Sequence, residues 1–261
     1  MNVAVAETAE DERAVQLTET IAATDGLSLV DRAAADVLLA VDDSALRAAV
    51  DNDDNRPLLR LSMGGDHTTA GTHSSSAAET QPPEHTTLLA QLATHSATTV
   101  PTTTRDVVSI QAGETATRAV RDCAMITTDP ARISEYRVVT GEATLTAFRA
   151  DGVVVTTPLG TAGYSRAAGG PRLAPNTGVA IVPIAPFAMT ADRWVVRPPL
   201  TLEVERDDDV SVFADGRHIA GGGADLTVTV STAGSITVVD GHRLAGCGRN
   251  WKNSNESSLH E

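Results

Sequence analysis

The spacing of apolar residues changes twice along this chain. Between residues 9 and 24 they fall at Ala14, Leu17, Ile21 and Ala22, the three-and-four step of a helix with one buried face. Residues 36–41, Asp-Val-Leu-Leu-Ala-Val, form a short apolar run with no alternation, the pattern of a strand covered on both sides. Residues 44–50 return to helical spacing, with Ser44 placed as an N-cap. Residues 56–61, Arg-Pro-Leu-Leu-Arg-Leu, give another strand before Gly64-Gly65, and residues 3–5 are a brief candidate strand at the start. Strand, helix, strand, helix and strand in this length predict a parallel sheet flanked by helices.

Residues 72–83, THSSSAAETQPP, read as a loop or linker, and 86–94 as one short helix. After Val100 the second change occurs. Segments at 105–110, 133–139, 145–148, 153–157, 178–183, 200–204, 210–213, 226–230 and 236–239 are short, β-branched and separated by Gly, Asp or Asn, the signature of an antiparallel all-β domain. From Gly241 onward the chain is polar, and disorder is expected there. The expected organisation is an α/β domain over 1–104, an all-β domain over 105–240 and a polar tail over 241–261.

Charge narrows the function classes. Asp and Glu number 34 against 20 Lys and Arg, a net charge of -14, and Lys252 is the only lysine. Such a surface repels phosphate backbones and anionic headgroups, which argues against nucleic-acid or membrane partners. The acidic, lysine-poor balance resembles proteins of salt-loving archaea; a moderately acidic protein from a GC-rich genome would share it. No stretch approaches the ~20 consecutive apolar residues of a spanning helix. The start, MNVAVAETAEDER, has no basic segment leading into an apolar run, so no secretory signal is expected and a cytoplasmic location is. Cys123 and Cys247 form neither a disulfide framework nor a metal-ligand spacing, and the seven histidines show no ligand spacing. Trp194 and Trp251 read as packing residues, and the acidic run at 207–209 as a solvated hairpin turn.

The segment richest in chemistry is 149–171, RADGVVVTTPLGTAGYSRAAGGP. An apolar strand runs into Thr-Pro, then a Gly/Thr/Ala loop, then Tyr-Ser and a helical turn. Such an arrangement aims backbone N–H groups and hydroxyls at one spot, as nucleotide sites do. Gly160 and Gly163 admit a close backbone approach, while Thr161 and Ser165 carry hydrogen-bond donors. A plain structural turn after a strand has the same composition.

As a pattern the segment resembles the NAD kinase family, whose stretch runs D-G-x-x-V-S-T-P-T-G-S-T-A-Y-S and then A-G-G-P. Asp151, Gly152, Thr157, Pro158, Gly160, Tyr164, Ser165, Gly169, Gly170 and Pro171 match in register. Leu159, Thr161, Ala162 and Gly163 depart from it, standing for Thr, Ser, Thr and Ala. Downstream, 181–186 (IVPIAP) resembles the family's L-T-P-I-C-P, and Arg197-Pro198-Pro199 and Phe213-Ala214-Asp215-Gly216 resemble later landmarks. The resemblance covers about residues 130–240.

In the N-terminal half the pattern erodes. The family's G-G-D-G-T follows a strand. By position its equivalent is Ala40-Val41-Asp42-Asp43-Ser44, with Asp42 in the catalytic place, Ser44 for the phosphate-binding Thr, and every glycine lost. By appearance, Gly64-Gly65-Asp66-His67-Thr68 competes, although residues 57–64 match the family's next strand and a surface turn accounts for Asp66 and His67. The ribose-binding A-L-N-E appears as Ala124-Met125-Ile126-Thr127, and the His of P-I-C-P-H falls on Phe187.

The resemblance implies a two-domain fold, an α/β N-terminal domain followed by an all-β C-terminal domain. It implies phosphorylation of the 2′-hydroxyl of NAD to NADP by ATP or polyphosphate, with Mg²⁺ accompanying ATP. Asp42 would be the catalytic residue and Ser44 the phosphate contact. Asp151, Thr157, Gly160, Thr161, Ala162, Tyr164 and Ser165 would bind substrate, with Tyr164 beside its rings. The family's habit implies a homo-oligomer. The alternative, suggested by the eroded motifs, is a catalytically impaired, NAD-binding paralogue with a regulatory or partner role, and a lipid or sugar kinase of the same plan is a third reading.

Overall fold

The computed structural model describes residues 1–6, 12–41, 43–52, 54–61, 85–129, 132–188, 191–206 and 209–246, with the backbone alone at 43–45. The chain divides into two compact units, one of 1–46, 55–103 and 237–261, the other of 47–54 and 104–236.

The first unit is α/β. Strand β1 (Asn2–Val5) leads to helix α1 (Glu12–Ala22), then β2 (Ser28–Leu29), β3 (Val37–Ala40), the start of helix α2 (Asp43–Asp51), whose residues from Arg47 onward fall in the second unit, and then β4 (Leu58–Arg60) and helix α3 (His85–Ala93). The strands pair in parallel in the order β2-β1-β3-β4. The β3 run is buried at every residue, as its lack of alternation requires. Helix α1 buries Ala14, Leu17 and Ile21, one face at a three-and-four spacing. Leu17, Ile21, Leu39, Leu59 and Leu89 share one apolar cluster. Full burial of each such side chain contributes roughly 1.5–3 kcal/mol.

The second unit is antiparallel. It contains β5 (Thr102–Ala112), β6 (Thr115–Ala119), β7 (Asp122–Thr127), β8 (Ser134–Thr140) and β9 (Ala143–Thr156). There follow a short helix α4 (Tyr164–Ala167), then β10 (Val179–Pro186), β11 (Trp194–Val196), β12 (Leu200–Val204), β13 (Val210–Ala214), β14 (Arg217–Gly222) and β15 (Thr227–Val239). The order β14-β13-β7-β9-β8-β12-β15 runs through it, and β10 pairs with β9 and β11. The C-terminal half of β9 is flanked by β7 and β10 together, so Val153, Val154 and Val155 are sealed in the core. Trp194 stacks on Phe148 at 5.8 Å, a packing role.

The two-domain fold class read from the sequence is the one observed. Several details differ. The segments 145–148 and 153–157 are one strand, β9, and 226–230 and 236–239 are one strand, β15. Strands β2, β6, β7, β11 and β14 were not expected. Residues 207 and 208 of the acidic run read as a hairpin turn lie outside the described residues; the flanking strands β12 and β13 pair with other strands and not with each other. The expected tail begins with a helix, α5 (Gly241–Leu244), capped by the Asp240 carboxylate and burying Leu244. Among the described residues no helix is long and apolar enough to cross a membrane.

Candidate functional site

Strand β9 delivers the chain into the loop at 157–163. Thr156 and Thr157 are buried at its end, at 0% and 1% exposure. The loop closes on itself through backbone bonds from Gly160 N to Thr157 O and from Gly163 N to Gly160 O, both 3.0 Å. Side chains lock it further. Thr161 Oγ1 donates to Pro158 O at 3.0 Å, and Thr157 Oγ1 accepts from Leu159 N at 3.2 Å. A 3-10 turn at Gly160–Ala162 then leads into α4.

The loop rests on the segment that joins β6 to β7. Thr157 N donates to Arg121 O at 2.8 Å, Thr156 Oγ1 donates to the same oxygen at 3.3 Å, and Thr157 Oγ1 donates to Val120 O. The glycines serve this approach. A Cβ on Gly160 would stand 2.2 Å from Arg121 O, and one on Gly163 would stand 2.5 Å from the Arg121 guanidinium. Two carboxylates lie below. Asp215 Oδ2 accepts from Val120 N at 2.9 Å, and its Oδ1 accepts from Arg121 N at 2.8 Å and Asp122 N at 3.1 Å. Asp122 is buried. Burial first, then the Asp215 carboxylate, raises its pKa to about 6, with the Arg121 guanidinium opposing.

Of the residues marked in the sequence, Asp151, Thr157, Gly160, Thr161, Ala162, Tyr164 and Ser165 fall on this single strand–loop–helix. They divide by what they face. Ala162 and Tyr164 are exposed, Tyr164 at 43%. Partial burial and then the neighbouring Asp151 carboxylate raise the Tyr164 pKa. Thr157 and Thr161 spend their hydroxyl protons on backbone carbonyls, so they hold the loop rather than offer free donors. Ser165 is buried against Gly170, and its hydroxyl has no hydrogen-bond partner. Phe187 is 69% exposed with the Arg149 guanidinium 5.5 Å over its ring.

The N-terminal candidates are placed less fully. Asp42 and its rival Asp66 lie outside the described residues. Helix α2 begins at Asp43, so Ser44 occupies its first turn rather than the cap. Nothing in the sequence pattern marked Val120, Arg121 or Asp122. The Asp215-Gly216 pair stood out only as a landmark. Both residues take positive φ, 48° and 76°, in the turn joining β13 to β14. Asp-Gly between two apolar alternating runs is the hairpin signal that could have found it.

A shallow cavity of about 350 Å³ adjoins the loop on the Pro158 side, lined also by Asp106, Asn176, Gly178, Arg197 and Thr232. Among the described residues, no group of three or more His, Cys, Asp or Glu could hold a metal ion.

Residues 122–239 match the ATP-NAD kinase C-terminal domain family. The chain is 38% identical over 85 residues to the NAD kinase of Methanosarcina barkeri, covering 32% of this chain and 31% of that protein. It is 47% identical over 73 residues to the NAD kinase of Thiobacillus denitrificans, covering 27% and 25%. With the NAD kinase of Methanopyrus kandleri it shares 34% over 121 residues, covering 45% and 43%. The chain thus spans less than half the length of these curated relatives. Two solved structures share its fold over nearly the whole chain. An NAD kinase from Archaeoglobus fulgidus in complex with ATP aligns with a TM-score of 0.65 at 18% identity, over 94% of this chain and 96% of that one. Yeast NADH kinase complexed with NADH aligns at 0.69 and 14%, over 100% and 90%.

Proposed function

We propose that this chain, which belongs to the NAD kinase family through its C-terminal domain, transfers a phosphoryl group to the 2′-hydroxyl of NAD and so makes NADP. One observation carries the reading: the strand–loop–helix at 151–165 keeps the family's register and holds an exposed Tyr164 on a hydrogen-bonded loop. Relatives named as NAD kinases, one solved with ATP and one NADH kinase solved with NADH, support NAD and ATP as the two substrates.

In-line phosphoryl transfer asks little covalent chemistry of a protein: positioning, charge neutralisation and an acceptor for the hydroxyl proton. Tyr164 would lie along a substrate ring. Asp42 would orient the 2′-hydroxyl and take its proton. Ser44 would meet a phosphate oxygen. Mg²⁺ would arrive on the triphosphate of ATP, since this ion is commonly held by substrate phosphates together with only one or two carboxylates. Bound there, Mg²⁺ would neutralise phosphate charge. Cytoplasmic residence, assembly of several copies and a briny medium complete the proposal, on family habit and on the net charge of -14.

The test is NADP formation by the purified protein in multimolar KCl with NAD, ATP and Mg²⁺. Turnover is expected, and Asp42→Asn should lower kcat by about a hundredfold or more, within the range of general-base contributions. An Asp42→Asn enzyme at full rate would reject that residue's role and direct the search to Asp66. Absence of turnover in the parent would reject the kinase reading.

A further inference from the structure

Three successive amides, those of Val120, Arg121 and Asp122, donate to the single carboxylate of Asp215. The turn that carries Asp215 is fixed from two directions. Ala214 pairs with Cys123 across β13 and β7, and Asp215 N donates back to Asp122 O at 3.0 Å. The positive φ at Asp215 and Gly216 folds the chain tightly enough to aim the carboxylate at the segment before β7.

The other ends of the same peptide groups hold the Thr-Pro loop. The peptide joining Val120 to Arg121 gives its N–H to Asp215 and receives Thr157 Oγ1 on its carbonyl. The next peptide gives its N–H to Asp215 and receives Thr157 N and Thr156 Oγ1. A peptide group is planar and stiff, so fixing its N–H fixes the direction of its C=O. Its polarisation by an ionised acceptor also strengthens the bond made on the opposite side.

We propose that Asp215 is a positioning residue: acting from behind through two peptide groups, it sets the loop at 157–165 and touches no ligand itself. Its catalytic consequence rests on the kinase reading given above, whereas its structural consequence does not. Loss of the carboxylate leaves three amides without their acceptor and frees the carbonyls that orient Thr157.

The experiment compares Asp215→Asn, Asp215→Ala and Gly216→Ala with the parent. Gly216→Ala strains the same turn but keeps the carboxylate, and an added Cβ there meets nothing within 4 Å. Amide hydrogen exchange is followed without substrate, and NAD phosphorylation separately. Both Asp215 variants should raise exchange at the amides of Thr157, Leu159 and Gly160 by about tenfold or more while the amides of β8 and β12 keep their protection. KM for NAD should rise by a similar factor, with kcat changed less. Equal effects from Gly216→Ala would assign the result to the turn and overturn the proposal. So would unchanged exchange at those three loop amides in Asp215→Asn. Should Asp215→Ala fail to fold, Asp215→Asn alone decides. A parent with no kinase activity would reject the functional reading, and the exchange data would still decide the clamp.

Discussion

Gly160 faces the carbonyl oxygen of Arg121 so closely that a Cβ would stand 2.2 Å away, with Thr156 Oγ1 at 2.6 Å. Neither neighbour can give way, because Arg121 O is already bonded to Thr157 N and Thr156 Oγ1. Gly160→Ala should therefore destabilise the second unit by about 1–3 kcal/mol, the cost of overpacking a fixed contact. It should also weaken NAD binding. Gly113 is the control: its φ is +57° but nothing lies within 4 Å of an added Cβ. Gly113→Ala should cost about 1 kcal/mol, from backbone conformation alone, and leave NAD binding unchanged. Thermal unfolding and an NAD titration of both variants make the comparison.

Asp122 gives the molecule a pH signature of known sign. Its folded pKa is about 6 against 3.8 in the open chain, raised by burial and then by Asp215. A carboxyl raised in this way is easier to keep protonated when folded. Its ionisation costs stability fully above pH 6, and the cost vanishes as pH falls to 3.8. A shift of this size corresponds to on the order of 3 kcal/mol. Asp122→Asn should thus be the more stable protein at pH 7, and its advantage should shrink between pH 6 and 4. Denaturant unfolding of the two proteins across that range checks the difference, which cancels the other titrating groups.

The parts of this fold that could be read in the sequence are those where one physical requirement dominates. The apolar run at 36–41 has to be a doubly covered strand, and it is β3. The spacing of Ala14, Leu17 and Ile21 has to be one face of a helix. Elsewhere a residue type admits two reasons. Asp151-Gly152 looked like punctuation between strands, yet Gly152 sits inside β9 because Met125 O passes 2.5 Å from where a Cβ would be. Strand β7, Asp122–Thr127, pairs on both edges and buries its first four residues in succession, so it shows no alternation, and it is too short for its apolar run to declare itself. In the site, the Thr-Pro loop was legible as a pattern. Its support was not, because Asp215 reaches it from about sixty positions downstream, through backbone groups that carry no residue-type signal.

Tyr164 separates packing from polar contact. Its ring is 43% exposed beside a loop in which Thr157 and Thr161 give their hydroxyl protons to backbone carbonyls, and its phenol lies in the field of Asp151. If the ring covers a substrate ring, Tyr164→Phe should keep the NAD Kd within about twofold, whereas Tyr164→Ala should raise it about tenfold, or 1.4 kcal/mol. Equal weakening in both would assign the contribution to the hydroxyl instead. Calorimetric titration with NAD distinguishes the outcomes.

The charge of -14 predicts how the folded chain responds to salt. Carboxylates spread over a small body repel one another, and that repulsion favours the expanded state. At ~0.1 M salt the screening length is about 10 Å, so neighbouring surface carboxylates interact; at ~1 M it is about 3 Å, and the repulsion is largely removed. The partly buried ion pairs made by Arg137 of β8 act in the other direction. Arg137 bonds Glu203 at 2.6 Å and Glu205 at 2.9 Å, but with these side chains about one-third exposed each pair is worth at most about 1 kcal/mol and is screened too. Repulsion among many carboxylates exceeds attraction within a few pairs. The melting temperature should therefore rise from ~0.1 to ~1 M KCl by several degrees, and most of the rise should come below ~1 M, where screening does the work. A melting temperature that falls over this range would show that the ion pairs, not the net charge, dominate the electrostatics of the fold.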